Sequence, residues 1–413
     1  MEQTVGYSSP VETSNPRVSI PFPVVVALTG IITSISMLFA VPAGGIASLC
    51  LLAKLVEKRP IVSMTIWGAV YVPVSALWVF PAFDGYQEYL LGGLGLMAAG
   101  GIFYGGAAII AWLFVRRIPI MILPVALAVA ELTASSFGLV LAPIGLFAVD
   151  NALGHVLALG TVFGASAFLG LGAALIAGYS QHSFAMTFGL VFIIGMVPGP
   201  SRPAYNGPEI FGISHDPDSS LKWSSKAYAA ESLERLKALS AEGAGSGLTV
   251  WPENAVTGTF NLEEAVAGLD PAQFPILFGM TRYARDGSPE LRNSAVLVTS
   301  AGVQVSNKEL LVPVIEVGNW FTGYSDLRVG VRHILTLNDG TTILPLICYE
   351  AAFLLDVSFQ ESEVDLIVVL AAESGFWSDM AVSIMRRHAR AREIELNIRV
   401  ERVSDVSLSL VSL

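Results

Sequence analysis

A cysteine at the end of an apolar segment is the first feature of this sequence that suggests chemistry. Residues Thr341–Ile347 are predicted to form a buried strand, and Cys348 follows directly, ahead of Tyr349 and Glu350. Such a cysteine can act as a nucleophile if a base removes its proton and a donor stabilises the oxyanion. The chain has two cysteines, too few for a disulfide framework. Buried cysteines usually serve packing, as we expect of Cys50 in its apolar run, and packing is the alternative for Cys348.

Three charged residues upstream have the types that would activate this cysteine. Glu253 follows a Trp-Pro pair at the end of the short predicted strand Leu248–Trp251. Because the ends of neighbouring strands share one edge of a sheet, Glu253 is a candidate base for Cys348. Lys308 is a candidate for stabilising the oxyanion, and Glu316 for orienting Lys308. Each signal is weak alone, since a surface lysine is usually a solvated charge and Trp-Pro-Glu is often only a turn.

The elements that must position these residues indicate an α/β layer domain. Further strands are predicted at 209–214, 275–283, 294–300, 332–337 and 365–370, and helices at 227–242 and 380–396. The turn Asn338-Asp339-Gly340 between two of the strands is a strong hairpin signal. Strands that alternate and pair, together with two clear helices, are typical of layered α/β domains.

The first half of the chain has a different composition. Over the whole chain the mean hydropathy is +0.63 and only 14% of residues are charged, which predicts several membrane spans. Residues 1–20 are polar and are predicted to be a disordered tail. Residues 21–199 are predicted to form a transmembrane bundle of about seven helices, from apolar runs at 22–41, 43–55, 61–81, 90–115, 119–147, 155–179 and 184–199. A Pro- and Gly-rich linker near residue 200 leads to a second domain, 200–413.

Charge suggests an orientation for the bundle. Lysine and arginine occur in the loops near residues 54–59 and 116–117, and are absent from the loops near 84–88 and 150–155. By the positive-inside rule the basic loops are cytoplasmic, which places the second domain on the periplasmic side of a bacterial inner membrane. That domain is acidic, which argues against direct nucleic-acid binding. Glu131 lies inside the fifth run, either as an intramembrane functional group or as a carboxylate bonded within the bundle.

The ordered motifs resemble one family. Trp-Pro-Glu253, the segment Lys308–Glu316 and Ile-Cys348-Tyr349-Glu350 are similar to the Glu–Lys–Cys set of the carbon–nitrogen hydrolase (nitrilase) superfamily. That resemblance implies an αββα sandwich. The apolar bundle that precedes this domain resembles that of the apolipoprotein N-acyltransferase branch. Trp223 lies at a position that resembles the one where that family has a functional tryptophan. The architecture also resembles plasmid-borne conjugal-transfer proteins of the TraB type, with or without activity.

The resemblance implies a mechanism and partners. Glu253 would deprotonate Cys348, whose thiolate would attack a phospholipid ester to form a thioester while Lys308 stabilises the oxyanion. A lipoprotein amine would then accept the acyl group. Glu316, Tyr349 and Glu350 would support the site and Trp223 would line its approach. The resemblance implies no metal and no organic cofactor. The resemblance to conjugal-transfer proteins implies contacts with a conjugation apparatus.

The sequence departs from the family near its end. After the helix at 380–396 the family has a strand with Arg-Pro and an Asn, and then a last transmembrane helix. Here Glu395–Asp405 contains no Arg-Pro, and the segment Ala371–Asp379 replaces an expected Asn-Asp loop. We therefore expect a sandwich that is shortened at the C-terminus and lacks an edge. Two alternatives to acyl transfer stay open: an amidase-type hydrolase with the same trio, and a non-catalytic membrane component of a conjugation apparatus.

Overall fold

The structure is a computed structural model. It describes residues 20–39, 41–82, 86–137, 139, 142–178, 197–242, 247–267, 269–284, 290–312, 316, 327–353, 363–376 and 378–406. The predicted tail at 1–20 and the seventh predicted run at 184–199 lie almost wholly outside the described residues.

The N-terminal region is a set of apolar helices. They are α1 (Phe22–Leu38), α2 (Pro42–Lys58), α3 (Pro60–Ser75), α4 (Tyr86–Val115), α5 (Ile122–Ser136), α6 (Gly154–Leu159) and α7 (Val162–Gly178), with 3-10 turns at Leu77–Ala82, Pro119–Met121 and Ile144–Ala148. Each of the first six predicted runs overlaps at least one of these helices. Among the described residues, two segments, Leu90–Val115 and Pro119–Ser136, are long and apolar enough to cross a membrane by length and composition, whereas α1, α3 and α7 are apolar but shorter.

Glu131 is bonded inside this helical region. Its Oε1 accepts the backbone N–H of Ile144 and its Oε2 accepts the hydroxyl of Ser166. A carboxylate among apolar helices costs free energy unless such donors satisfy it. These bonds tie α5 to the Ile144–Ala148 turn and to α7, so the described contacts favour the structural interpretation of Glu131.

Two sheets follow the helical region. The first contains β1 (Ile210–Gly212), β2 (Leu248–Val250), β3 (Ile276–Tyr283), β4 (Leu291–Thr299) and β5 (Gly302–Asn307), in that order. The second contains β6 (Leu335–Thr336), β7 (Thr342–Ile347), β8 (Leu366–Ala371) and β9 (Arg399–Ser404), in that order. Strands β1 to β3 are parallel and β3 to β5 antiparallel, while β7, β8 and β9 are parallel. The predicted hairpin joins β6 and β7, which pair antiparallel.

The two sheets pack face to face with helices outside them. Leu277 and Leu297 of the first sheet share a buried cluster with Ile343 and Val368 of the second. The outer face of the first sheet packs on helices α9 (Lys226–Glu242) and α10 (Leu262–Ala267), through a separate buried cluster. The outer face of the second sheet packs on α11 (Ser378–Leu396), which belongs to the cluster that continues into the helical region. The layer order is helix, sheet, sheet, helix.

Strands β5 and β9 were not predicted. The region after α11 was expected to leave the sandwich without an edge, yet β9 pairs with β8 from Leu366 opposite Arg399 to Ala371 opposite Ser404. Strand β9 was not predicted because its charged residues interrupt the apolar alternation that is typical of a strand. They are satisfied in place: Arg402 pairs with Glu373, and Arg399 with Glu401. The expectation of a missing edge at this position is therefore wrong.

Helix α11 joins the sandwich to the helical region. Arg387, which is buried, donates to the backbone carbonyl of Met37 at the end of α1 over 2.7 Å. Glu395 accepts the N–H of Val162 at the start of α7 and pairs with Arg392. Both contacts use the free backbone groups at helix ends. The helix therefore fixes how the second sheet sits against the helical region.

Candidate active site

Cys348 lies at a strained turn. Strand β7 ends at Ile347, and Cys348 opens a 3-10 turn with φ of 53°, in the left-handed region that side chains other than glycine rarely adopt. Such a conformation costs about 1–3 kcal/mol and persists where surrounding contacts impose it. One contact is clear: Glu350 Oε2 accepts the N–H of Ile347 over 2.7 Å. The turn places a free, half-buried thiol at the edge of the second sheet.

Glu253 lies at a second turn, at the end of β2. Trp251 is fully buried and its indole N–H donates to Ser240 on α9, which anchors the start of the turn. Asn254, directly after the carboxylate, has φ of 50°. The turn crosses β3 at Gly279, where a Cβ atom would lie 2.6 Å from the Cα of Glu253. Only glycine allows the Glu253 backbone to pass so close.

Lys308 lies just after β5. Its backbone N–H donates to the carbonyl of Asn293 on β4 over 2.8 Å. Its ammonium lies 2.8 Å from Glu316 Oε1 and 3.4 Å from Glu253 Oε1, and the residue is only 1% exposed. A buried ammonium requires such partners. The structure thus brings Lys308, Glu253 and Glu316 together.

The thiol completes the cluster. The Cys348 thiol and the Glu253 carboxyl influence each other's protonation, and Glu253, Lys308, Glu316 and Cys348 line one cavity of about 250 Å³. Four residues from distant parts of the chain therefore converge at the edges of both sheets. This is the arrangement required of a thiol, a base that accepts its proton and a cation that opposes the developing negative charge.

Burial and neighbouring charges shift the pKa values of the three ionisable groups. Burial raises the pKa of the Glu253 carboxyl, although Lys308 opposes the rise. Burial and the neighbouring Glu253 raise the pKa of the Cys348 thiol, again against Lys308. Burial disfavours charge on Lys308, but Glu253 and Glu316 outweigh it and raise the pKa of Lys308 above its ordinary value. Lys308 therefore stays charged, and Glu253 is a stronger base than an exposed carboxylate.

Glu350 supports the site through backbone contacts. Its Oε1 accepts the N–H groups of Glu309 and Leu310, directly after Lys308, over 2.9 and 3.2 Å. The same oxygen accepts from the buried Arg332 over 2.7 Å. With the bond to Ile347 described above, one carboxylate ties the cysteine turn to the lysine loop. The predicted supporting role of Glu350 therefore has a physical basis as a contact between loops.

Tyr349 and Trp223 differ in their relation to the cavity. Tyr349 is buried and packs edge-to-face on Phe353, with ring centroids 5.0 Å apart, in the core cluster outside the second sheet. Trp223, on the short helix α8 (Ser219–Ser224), is 53% exposed and lines the cavity. Phe376 lines the cavity too, and its ring packs edge-on against Trp78 of the helical region, 5.6 Å between centroids. The cavity thus has apolar lining beside the helical region.

Sequence reasoning missed several residues of the site. Asn293 donates its side-chain N–H to Glu253 Oε1 over 2.6 Å, and the N–H of Ala372 donates to Glu253 Oε2 over 3.1 Å. Arg332 was assigned only to a strand. Asn293 carried one signal, since it is a polar residue in a strand whose other inward positions are apolar. Ala372 carried none, because a backbone donor can be identified only from the fold.

Comparison with known proteins relates the chain to one group of enzymes. No family model matches the chain. Two curated proteins named apolipoprotein N-acyltransferase, from Brucella suis and Brucella melitensis, are each 26% identical over 223 residues. The match covers 46% of this chain and 41% of each relative, so the chain spans less than half the length of these relatives in the match.

Two solved structures are similar over about half of the chain. One is an amidase from Nesterenkonia sp., with 13% identity, a TM-score of 0.33, and coverage of 48% of this chain and 77% of the amidase. The other is the amidase NitN, also with 13% identity, a TM-score of 0.30, and coverage of 47% and 76%. At these TM-scores the likeness carries no argument about mechanism. The curated relatives confirm the resemblance: over the matched residues the chain is similar to proteins named apolipoprotein N-acyltransferase.

Proposed function

We propose that the chain is a membrane-bound acyltransferase that carries the acyl group as a thioester on Cys348. The observation that carries the proposal is the convergence of Cys348, Glu253 and Lys308 in one cavity. The relatives' name supplies the class of reaction, and the residues of this chain supply a means to perform it.

The first half-reaction begins at the thiol. The Glu253 carboxylate takes the proton of Cys348, and the thiolate attacks the carbonyl carbon of an acyl ester. The charge that develops on the carbonyl oxygen is opposed by Lys308, whose ammonium is held by Glu316. When the C–O bond breaks, Glu253 returns its proton to the leaving alkoxide. The products are an alcohol, here a lysophospholipid, and the Cys348 thioester.

The second half-reaction reverses these roles. A neutral amine, here the N-terminal amine of a lipoprotein, attacks the thioester and forms the amide bond. Glu253 takes the proton that the amine loses and passes it to the departing Cys348 thiolate. The enzyme returns to its starting state, and the acyl group has moved from oxygen to nitrogen.

The helical region gives this chemistry access to a bilayer. Large apolar side chains are exposed along it, among them Ile102 and Phe114 on α4, the second at 84%. Exposed apolar surface of this kind favours contact with lipid. We propose a multi-span inner-membrane domain of about seven helices, with the acidic sandwich on the periplasmic side. The contact of Phe376 with Trp78 then joins the cavity lining to the helical region.

The test uses a phospholipid with a radiolabelled acyl chain and the full chain in detergent micelles. Label is expected on Cys348, to be released by hydroxylamine and to pass to a synthetic lipopeptide with a free N-terminal amine. Cys348→Ser should take up no label, and Cys50→Ala should behave as the parent. Label that survives in Cys348→Ser would overturn the proposal.

The same experiment separates the alternatives. An amidase-type hydrolase would leave phospholipid untouched and release ammonia or amine from a small amide. A conjugal-transfer component without activity would form no thioester with either substrate. The comparisons do not test the conjugal-transfer interpretation, which stays a prediction.

A further inference from the structure

A buried aspartate at the end of β9 holds the segment that lines one wall of the cavity. Asp405 is fully buried, and its Oδ1 accepts the N–H groups of Glu373 and Ser374 over 2.6 and 3.2 Å. Its Oδ2 accepts the Ser374 hydroxyl over 2.7 Å. The backbone of Asp405 also donates to the carbonyl of Ala371 at the end of β8. Four bonds therefore fix residues 371–374 to one carboxylate-bearing residue.

The segment that Asp405 holds touches the proposed base. Ala372, between Ala371 and Glu373, donates its N–H to Glu253 Oε2 over 3.1 Å. Ala372 and Ser374 also line the cavity. The position of one donor to Glu253 thus depends on a residue that does not itself contact Glu253 in the described structure.

Asp405 also contacts a second part of the cavity lining. Lys222 is buried, lines the cavity and lies with its ammonium 3.5 Å from Asp405 Oδ2. It belongs to α8, the helix of six residues that also carries Trp223. His215 lies near this pair, but burial, followed by the charge of Lys222, lowers its pKa to about 4. His215 is therefore neutral near pH 7, and Lys222 is the cation that faces the aspartate.

We propose that Asp405 is a positioning residue for the acyl-transfer cavity, which places Ala372 beside Glu253 and, through Lys222, the helix that carries Trp223. This inference rests on the proposed function and names a further residue for it. The two carboxylate oxygens divide the task. Oδ1 serves the backbone of the 372–374 segment alone, whereas Oδ2 serves Lys222 and the Ser374 hydroxyl.

The proposal has two arms, the contact through Ala372 to Glu253 and the ion pair with Lys222. Substitutions at Asp405 are expected to affect the two arms differently. Asp405→Ala removes every side-chain acceptor and frees the segment that donates to Glu253. Asp405→Asn keeps an oxygen for the backbone N–H groups but removes the charge that faces Lys222. Lys222→Met removes the same ion pair from its other end. Glu393→Gln is the matched control, since Glu393 is a buried carboxylate that accepts from Arg202 and from the backbone of Val400 outside the cavity.

The first measurement is the rate at which iodoacetamide alkylates Cys348 as a function of pH. The full chain carries Cys50→Ala, which leaves one cysteine. Asp405→Ala is expected to move the acid limb of the pH–rate profile upward by about one pH unit and to slow alkylation about tenfold on the acid side of that limb, because Glu253 loses a donor to its charged form. The other charged groups that face Glu253, Lys308 and Glu316, are unchanged. A limb that stays at the parent pH in Asp405→Ala, or that moves as far in Glu393→Gln, would overturn this arm.

The second measurement is the KM for phospholipid in mixed micelles. Asp405→Asn and Lys222→Met are each expected to raise KM about three- to tenfold, and the double variant no further, because both break one pair. This comparison keeps the proposal testable even if Asp405→Ala fails to fold. Additive effects in the double variant, or an unchanged KM in both single variants, would overturn this arm.

Failure of the proposed function would look different. If the parent forms no thioester with phospholipid while Asp405→Ala still shifts the alkylation profile, Asp405 positions Glu253 in an enzyme of another specificity. If the thioester forms and the profile does not shift, the acyltransferase stands and the positioning role falls.

Discussion

The Lys308 ammonium lies 3.4 Å from the Glu253 carboxylate, and both residues are at least 96% removed from solvent, as relative exposures of 1% and 4% show. They belong to different loops of the first sheet. A buried cation of this kind is tolerated only with its anionic partners in place. The pair therefore links the stability of the cavity to the charges that the proposed reaction uses.

Lys308→Met tests that link. It leaves Glu253 and Glu316 buried without their cation, and breaking a buried pair costs about 3–5 kcal/mol. Denaturant unfolding should show that loss of stability, and thioester formation should fall by at least about a hundredfold. Lys237→Met is the control, since its partner Glu234 is largely exposed and such surface pairs contribute about 0–1 kcal/mol. Equal stability losses in the two variants would contradict the account.

His215 predicts a pH dependence of stability. Burial lowers its pKa in the folded chain from 6.5 to about 4, so between these values the unfolded chain binds a proton that the folded chain does not. Stability should therefore rise with pH across this window and fall on acidification, by an amount on the order of 2–3 kcal/mol. His215→Gln should flatten the slope of stability against pH in thermal unfolding from pH 4 to 7. A parent slope retained by His215→Gln would show that other groups cause it.

Gly279→Ala tests the close crossing beneath Glu253. The added methyl would lie 2.6 Å from the Glu253 Cα, so the turn must move, at a cost of about 1–3 kcal/mol. Cys348 alkylation near pH 7 should slow because the base is displaced. Gly172→Ala on α7 meets open space and serves as the control. Normal alkylation in Gly279→Ala would mean that the turn adjusts without moving the carboxylate.

Glu350→Ala tests the bond between the two loops. It leaves the N–H groups of Ile347, Glu309 and Leu310 and the guanidinium of Arg332 without their acceptor. The stability loss should be about 3–5 kcal/mol, since a buried charge loses its partner. Glu309→Gln, at a half-exposed site whose contact to Arg332 spans 3.5 Å, should change stability little. Circular dichroism during urea unfolding measures the stability of both variants. A small loss of stability in Glu350→Ala would contradict the structural role of Glu350.

The sequence predicted the cluster better than its surroundings. Cys348 and Glu253 carried a signal because they follow predicted strands, and Lys308 and Glu316 because their spacing resembles a family. Asn293 and Asp405 carried little, because their roles depend on which strands become neighbours. Strand β9 was missed because its charged residues, which pair within the fold, interrupt the apolar alternation that is typical of a strand. The place of Tyr349 at the site was expected from the resemblance to the family motif, whereas in the structure the tyrosine packs in the core beside Phe353.

Intact-mass spectrometry of Cys50→Ala after incubation with a phospholipid of defined acyl chains tests the central claim most directly. The account predicts a mass increase of one acyl group minus one hydrogen, located on Cys348 by peptide mapping and lost with hydroxylamine. It predicts no adduct when Cys348→Ser is added, and at least about a hundredfold slower formation with Glu253→Gln. An adduct that forms without Cys348, or none in the Cys50→Ala chain while the fold is intact, would contradict it.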